Sequence, residues 1–376
     1  MSTRDTNQSN IVVRPQRLRN AQRGDPGTTG DAMPTLFKGV RHSHTPHHAP
    51  ASRIIVAMTG FWTDRSVVVT GGAGFLGRVV VEKLRALGAV VDVPRSAEYD
   101  LTQPGVAEQL LADITPSHVI HLAARVGGIG YNQVAPAPLY LDNLLMGTHV
   151  IEAARATSSV HKTVLLGTVC SYPKFTPVPF REESLWDGYP EETNAPYGIA
   201  KKAQLIHAQV NHQQYGQRFA YLIPTNLYGP GDKFHPSVSH VIPARIKRCV
   251  EAVEQGEQKL DVWGTGTASR EYLYVEDAAE AIVIAAEHYE GVEPINLGTN
   301  REITIRETVE TIAKMVGYEG ELAWDPTKPD GQPRRRVDPG RAEALLGWRA
   351  QMPFEQGLRH TIDWYLANRA EAEREP

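Results

Sequence analysis

The sequence predicts an α/β fold: a Rossmann-type doubly wound parallel sheet with a smaller C-terminal α/β lobe. Three observations carry that expectation. A β-branched run, Val67 to Thr70, is followed at once by Gly71, Gly72, Gly74 and Gly77. Val79, Val80, Leu84 and Leu87 then recur at helical spacing, so the stretch reads as strand, glycine turn and amphipathic helix. Finally, 376 residues with 41% hydrophobic content are enough for a sizeable core in two lobes.

The first 57 residues differ from the rest. They are rich in Ser, Thr, Asn, Gln, Pro, Gly and His, with eight Lys/Arg against three Asp/Glu, and read as disordered. No amphipathic targeting helix is evident there. His42, His44, His47 and His48 read as solvated tail rather than as a metal site. Met58 stands just before the first strand. The expectation is therefore a disordered tail or over-extended start at 1–62, a dinucleotide-binding domain at 63–230 and a second lobe at 231–376, interleaved with returns to the sheet. The net charge of −4 gives no reason to expect nucleic acid. Two cysteines in so long a chain make no disulfide framework, which fits the cytoplasm. No apolar run is long enough to span a bilayer.

Glycines after a strand let the backbone turn tightly, approach a pyrophosphate and pack helix on strand. The helix N-terminus then offers its amides to the phosphates. Gly71, Gly72, Gly74, Phe75, Leu76 and Gly77 are the candidates, with a purely structural turn as the alternative. A second strand, Ala89 to Val93, runs into Pro94 and Arg95. A carboxylate at such a strand end selects NAD, whereas an arginine accommodates the 2′-phosphate of NADP. Asp92 lies within the strand, so Arg95 predicts NADP(H). Arg78 is a second candidate cation, and Asp100 either meets the adenine or serves a turn.

His118 to Ala124 is the next strand, ending in small residues such as Ala123 that suit a loop close to a cofactor. Residues 126–132 read as another loop, and a helix follows around Leu139 to Thr157. A strand over Thr163 to Thr168 places Thr168 and Cys170 at its carboxyl end, where open sheets bind ligands. Pro196 to Tyr215 opens a helix with Tyr197 and Lys201 at i, i+4 on one face. A nearby ammonium is expected to lower the tyrosine pKa and let the pair exchange a proton with a carbonyl oxygen. Phe219 to Pro224 is a strand running into Asn226 and Leu227, which can hold the cofactor's nicotinamide end or the substrate.

Residues 231–240 form a polar loop before a helix over Ile242 to Val253. From the residues alone, His240 is a capping or surface group, and Cys170 and Cys249 are small packing residues. Strand Pro294 to Gly298, helix Ile303 to Val316 and helix Phe354 to Arg369 continue the α/β pattern. Arg334, Arg335 and Arg336 precede Asp338, read as an N-cap with Pro339 in the first turn. Arg335 represents this run as a diphosphate contact; a solvated charge run is the alternative.

The motifs AARVGGIGYN (123–132), LLGTVCSYPK (165–174), ETNAPYGIAKK (192–202), PTNLYGPGDKFHPSVSHVIPA (224–244) and VWGTGTASREYLYVED (262–277) carry a resemblance. The chain resembles the GDP-L-fucose synthase family, extended short-chain dehydrogenases/reductases acting on nucleotide sugars. The resemblance implies NADP(H), a GDP-sugar substrate, a homodimer, and 3,5-epimerisation followed by 4-keto reduction. It makes Thr168, Tyr197 and Lys201 the catalytic triad and Cys170 and His240 the epimerising acid/base pair. It also makes Arg248, Trp263 and Arg270 substrate contacts. Thr168 departs from the family's usual serine, but its hydroxyl still donates. A 3,5-epimerase or 4-reductase for another GDP-sugar is the alternative. A 4,6-dehydratase would want an Asp-Glu pair where Val169 and Cys170 stand, and Arg95 and His240 count against an epimerase that recycles NAD. A nucleotide-sensing regulator would not need the Tyr–Lys pair.

Overall fold

Val67, Val68 and Val69 of β1 (Ser66–Thr70) are fully buried, and their alternate side chains meet two different layers. A computed structural model of the protein describes residues 60–374 apart from 237 and 329–331, with the backbone alone at 129 and 130. The expectations for 1–59 lie outside the described residues. Val67 and Val69 pack with α1 (Phe75–Ala86), while Val68 packs with α2 (Val106–Ile114). A parallel strand buried on both faces needs such an unbroken apolar run.

The remaining strands of this sheet are β2 (Val90–Asp92), β3 (His118–His121), β4 (Lys162–Leu166), β5 (Phe219–Pro224) and a late return, the strand at Ile295–Leu297. All pair in parallel, with β1 between β2 and β3. The order therefore reverses beside β1, and the crevice at the carboxyl ends of β1 and β3 is the place for a ligand. Between β3 and β4 lie α3 (Ile129–Val134) and α4 (Pro136–Ala156); between β4 and β5 lies α5 (Ala195–Tyr215). The short α3 replaces part of the loop expected at 126–132. Trp62 is fully buried and packs edge-on against His118, with ring centres 5.2 Å apart, so the fold begins before residue 63.

After β5 the chain builds a second core. Its elements include β6 (Asn226–Tyr228), α6 (Val241–Gln255), β7 (Lys259–Trp263), β8 (Ser269–Arg270) and β9 (Tyr272–Tyr274). Three two-stranded sheets join β6 to β9, β7 to Glu321–Asp325, and β8 to Ile303–Thr304. Aromatic rings fill this core, with Phe234 stacked on Tyr365 at 4.3 Å. Between β9 and the Ile295–Leu297 strand, α7 (Val275–His288) returns to the first core, its run of alanines allowing close approach to the sheet.

Candidate active site

Local sequence builds the phosphate cradle. Gly71 has φ +71°, a left-handed conformation that side chains avoid, and a Cβ there would come within 2.7 Å of the Ala123 nitrogen. A Cβ on Gly77 would lie 2.1 Å from the Gly71 carbonyl oxygen. Gly74 is the N-cap of α1 and brings no side-chain cap, so the amides of Phe75, Leu76 and Gly77 open the helix without a side-chain acceptor. This close-backed turn at the switch point fits a dinucleotide. Arg95 is exposed just beyond β2, free to meet a 2′-phosphate.

The other expected cations behave differently. Arg78 donates to Glu371 at 2.8 Å and to the Gly231 carbonyl at 2.9 Å, tying α1 to the second lobe. Asp100 is used within its own turn, accepting from Thr102 and Gln103. Pro224 is paired with Leu297 in the sheet, Leu227 packs against the first core, and the Asn226 amide donates to the Glu271 carbonyl at 3.0 Å.

The reactive groups gather past β4. Thr168 ends the extended chain, and its hydroxyl accepts from the Cys170 amide at 3.2 Å, closing a short turn over Val169–Ser171. α5 packs directly on that turn: Ser171 donates to the Gly198 carbonyl at 2.9 Å, and a Cβ on Gly198 would lie 2.5 Å from the Cys170 carbonyl oxygen. Tyr197 therefore stands beside Cys170. Lys201, one turn on, lies with its ammonium 5.9 Å from the Tyr197 ring centre. It is buried, and no carboxylate pairs with it among the described residues. Burial pushes its pKa down to about 8.

Burial also raises the Tyr197 pKa above its ordinary value, with charge on Cys170 adding. The sequence expectation of a lowered tyrosine pKa is thus reversed, because desolvation outweighs an ammonium placed over the ring. The phenol is therefore protonated and has a proton to give, while the raised pKa makes it a weaker acid than a free tyrosine. Behind Lys201, burial holds the His121 pKa at about 3, with the Lys201 charge adding, so its ring is neutral. Its Nδ1 meets the Thr70 hydroxyl at 2.8 Å.

Cys170 has two side-chain partners. Its thiol donates to Asn194 Oδ1 at 3.6 Å and accepts from Arg335 Nη1 at 3.6 Å. Asn194 is oriented by Glu191, which accepts from its amide, and also accepts from Asn132 at 3.3 Å. Asn194 and Asn132 were not singled out in the sequence. The only signal was an amide inside each of two quoted motifs. Gly128, at the N-cap of α3, lies against the Ser239 carbonyl, where a Cβ would come within 3.0 Å. That contact brings the His240 segment beside the Asn132 helix. His240 N-caps α6, as its bland reading anticipated, but without a side-chain cap bond. The residue is exposed at the surface, yet enough protein surrounds its imidazole that desolvation lowers its pKa, with Lys233 adding.

Three consecutive arginines separate by alternation. Arg334 pairs with Glu302 and Arg336 with Asn300, while Arg335 turns inward and is buried. Arg270 donates to the carbonyls of Ser269 and Gln332, both at 2.7 Å. Arg248 is not open to a ligand in the expected way: it forms a two-pronged ion pair with Glu257. Trp263 is 64% exposed at the end of β7, with Lys328 5.6 Å over its ring, and no contact joins it to Cys170 or Tyr197. Asp338 caps as expected in substance, accepting from the Gly340 amide at 2.9 Å, although Pro339 occupies the N-cap. Among the described residues no cluster suits a metal ion.

The sequence profile of the NAD dependent epimerase/dehydratase family matches residues 67–298. The chain belongs to that family. Within the epimerase/dehydratase family it is similar to GDP-L-fucose synthase 1 of Arabidopsis thaliana, 42% identical over 309 residues, covering 81% of this chain and 95% of the relative. Probable GDP-L-fucose synthase 1 of Oryza sativa subsp. japonica is 41% identical over 303 residues, covering 80% and 92%. The crystal structure of a GDP-L-fucose synthetase from Naegleria fowleri bound to NADP superposes with a TM-score of 0.74 at 27% identity, covering 83% of this chain and 97% of that one.

Proposed function

We propose that this chain converts GDP-4-keto-6-deoxy-D-mannose to GDP-L-fucose by 3,5-epimerisation and then NADPH-dependent reduction at C4. The observation that carries the reading is the meeting of two chemistries: a thiol held between Asn194 and Arg335 stands beside Tyr197 and Lys201. A reductase alone needs the tyrosine and lysine, and an epimerase needs an additional acid/base group.

The 4-ketone acidifies the hydrogens at C3 and C5, because the enolate places its charge on O4. Thr168 and Tyr197 donate to that oxygen. Cys170 and His240, on opposite ring faces, remove a proton from one side and return one to the other, inverting each carbon in turn. Tyr197, held protonated by burial, then gives its proton to O4. Lys201 holds the cofactor ribose and keeps a positive charge near the phenol. The amides opening α1 and the Arg95 side chain bind the pyrophosphate and the 2′-phosphate. Bound NADPH supplies the hydride for C4. Arg270 and Arg335 face the nucleotide diphosphate, with Trp263 and Arg248 as further substrate contacts if Arg248 leaves Glu257.

The proposal extends to a homodimer in the cytoplasm. No helix of the described residues is long and apolar enough to cross a membrane. Light scattering should give twice the mass of the chain. Purified protein given substrate and NADPH should consume one NADPH for each GDP-L-fucose identified by NMR. A 4-reduced product with D configuration at C5 would overturn the epimerising half.

A further inference from the structure

Gln332 touches both inward-facing arginines. Its carbonyl accepts from Arg270 Nη1 at 2.7 Å. Its Oε1 accepts from Arg335 Nε at 3.1 Å and Nη2 at 3.0 Å, and its Nε2 donates to the Lys174 carbonyl at 3.0 Å. The residue is buried, so these bonds are made away from competing water. The third guanidinium nitrogen of Arg335, Nη1, is the one that reaches the Cys170 sulfur. No carboxylate pairs with Arg335 among the described residues.

We infer that Gln332 is a positioning residue: it fixes the Arg335 guanidinium against the Cys170 thiol and joins that pair to Arg270. A neutral amide is suited to this task. A carboxylate would orient Arg335 equally well but would cancel the charge, whereas the amide oxygen leaves it whole for the sulfur and for an anionic ligand. The two-bond grip on Nε and Nη2 sets the plane of the guanidinium, which leaves Nη1 a single direction. The bond from Gln332 to Lys174 anchors the amide to the segment that follows Cys170, so thiol and guanidinium are held to one frame. The Glu271 carboxylate fixes the far end of the same strip by accepting from the Val337 amide at 2.8 Å.

The role of Cys170 in turnover rests on the function proposed above, but the contact itself is testable without substrate. Iodoacetamide alkylates cysteine sulfur, and a guanidinium held against that sulfur stabilises the negative charge of the attacking atom. Cys249 is fully buried, with burial raising its pKa to about 11, and stays silent. Arg335→Ala should slow alkylation of Cys170 roughly tenfold, the effect of one lost charge-assisted contact. Gln332→Met should slow it nearly as much, and the double variant no more than Arg335→Ala alone, because the glutamine acts only through the arginine. Gln332→Asn, whose shorter amide withdraws the acceptor, repeats the test if the methionine variant does not fold. Multiplying effects in the double variant, or an unchanged rate in Gln332→Met and Gln332→Asn, would overturn the inference. In a second arm, Gln332→Met should slow deuterium exchange at C3 and C5 with the same non-additivity. Wild-type protein showing no exchange would count against the proposed function, while the alkylation cycle would still decide the role of Gln332.

Discussion

The Lys201 ammonium lies 5.9 Å from the centre of the Tyr197 ring, one helical turn further along α5, and burial shifts both groups against their charged forms. The phenol keeps its proton and the lysine releases its own more easily. A reductase needs the tyrosine protonated before hydride transfer, and burial keeps it so.

Tyr197→Phe is expected to lower reduction by 10²–10⁴-fold, the range typical of a general acid. The ring is retained, so NADPH affinity, read by fluorescence titration, should stay within about twofold. A variant keeping more than about a tenth of the activity would place the acid elsewhere.

Lys201→Met is expected to lose both NADPH affinity and turnover while stabilising the apo fold. Burial lowers the lysine from 10.5 to about 8. Below pH 8 both native and unfolded chains hold the proton, and the native state carries the whole cost of a buried ammonium. As pH rises from about 8 to 10.5 the native state releases the proton first, so wild-type stability gains relative to the variant. The gap at pH 7 should be on the order of 3 kcal/mol in favour of the methionine variant, narrowing by pH 10. Thermal melts at both pH values check this, and a variant melting below wild type at pH 7 would contradict it.

Cofactor choice should follow Arg95. NADPH is expected to be preferred over NADH by about tenfold or more, the worth of a charge-assisted phosphate contact. Arg95→Asp should narrow or reverse that ratio of kcat/KM. Equal efficiency with both cofactors in the unmutated protein would remove Arg95 from the site.

Much of this was legible in the sequence because it is local. Strand β1, the glycine turn and α1 follow from apolar periodicity and turn chemistry within about twenty residues. Cys170 and His240 could be promoted above packing and capping only by resemblance, since their neighbours come from distant segments. The amides of Gln332, Asn194 and Asn132 were invisible: Gln332 meets Lys174 across 158 positions, and nothing local marks it. The Arg334–Arg336 run was ambiguous because its alternation depends on an extended backbone. The Tyr197 shift was read with the wrong sign because the sequence shows the ammonium but not the burial. The ion pair of Arg248 was hidden for a similar reason, as Glu257 meets it only once α6 has folded.

The central claim is that one site epimerises and then reduces. The most direct measurement is turnover in D₂O with NADPH, followed by NMR of the product. Wild-type protein should yield GDP-L-fucose labelled at C3 and C5, and Cys170→Ala a slowly formed, unlabelled 6-deoxy sugar nucleotide of D configuration. If Cys170→Ala instead makes the labelled L-sugar at near wild-type rate, the thiol is a packing residue and the account of the site is wrong.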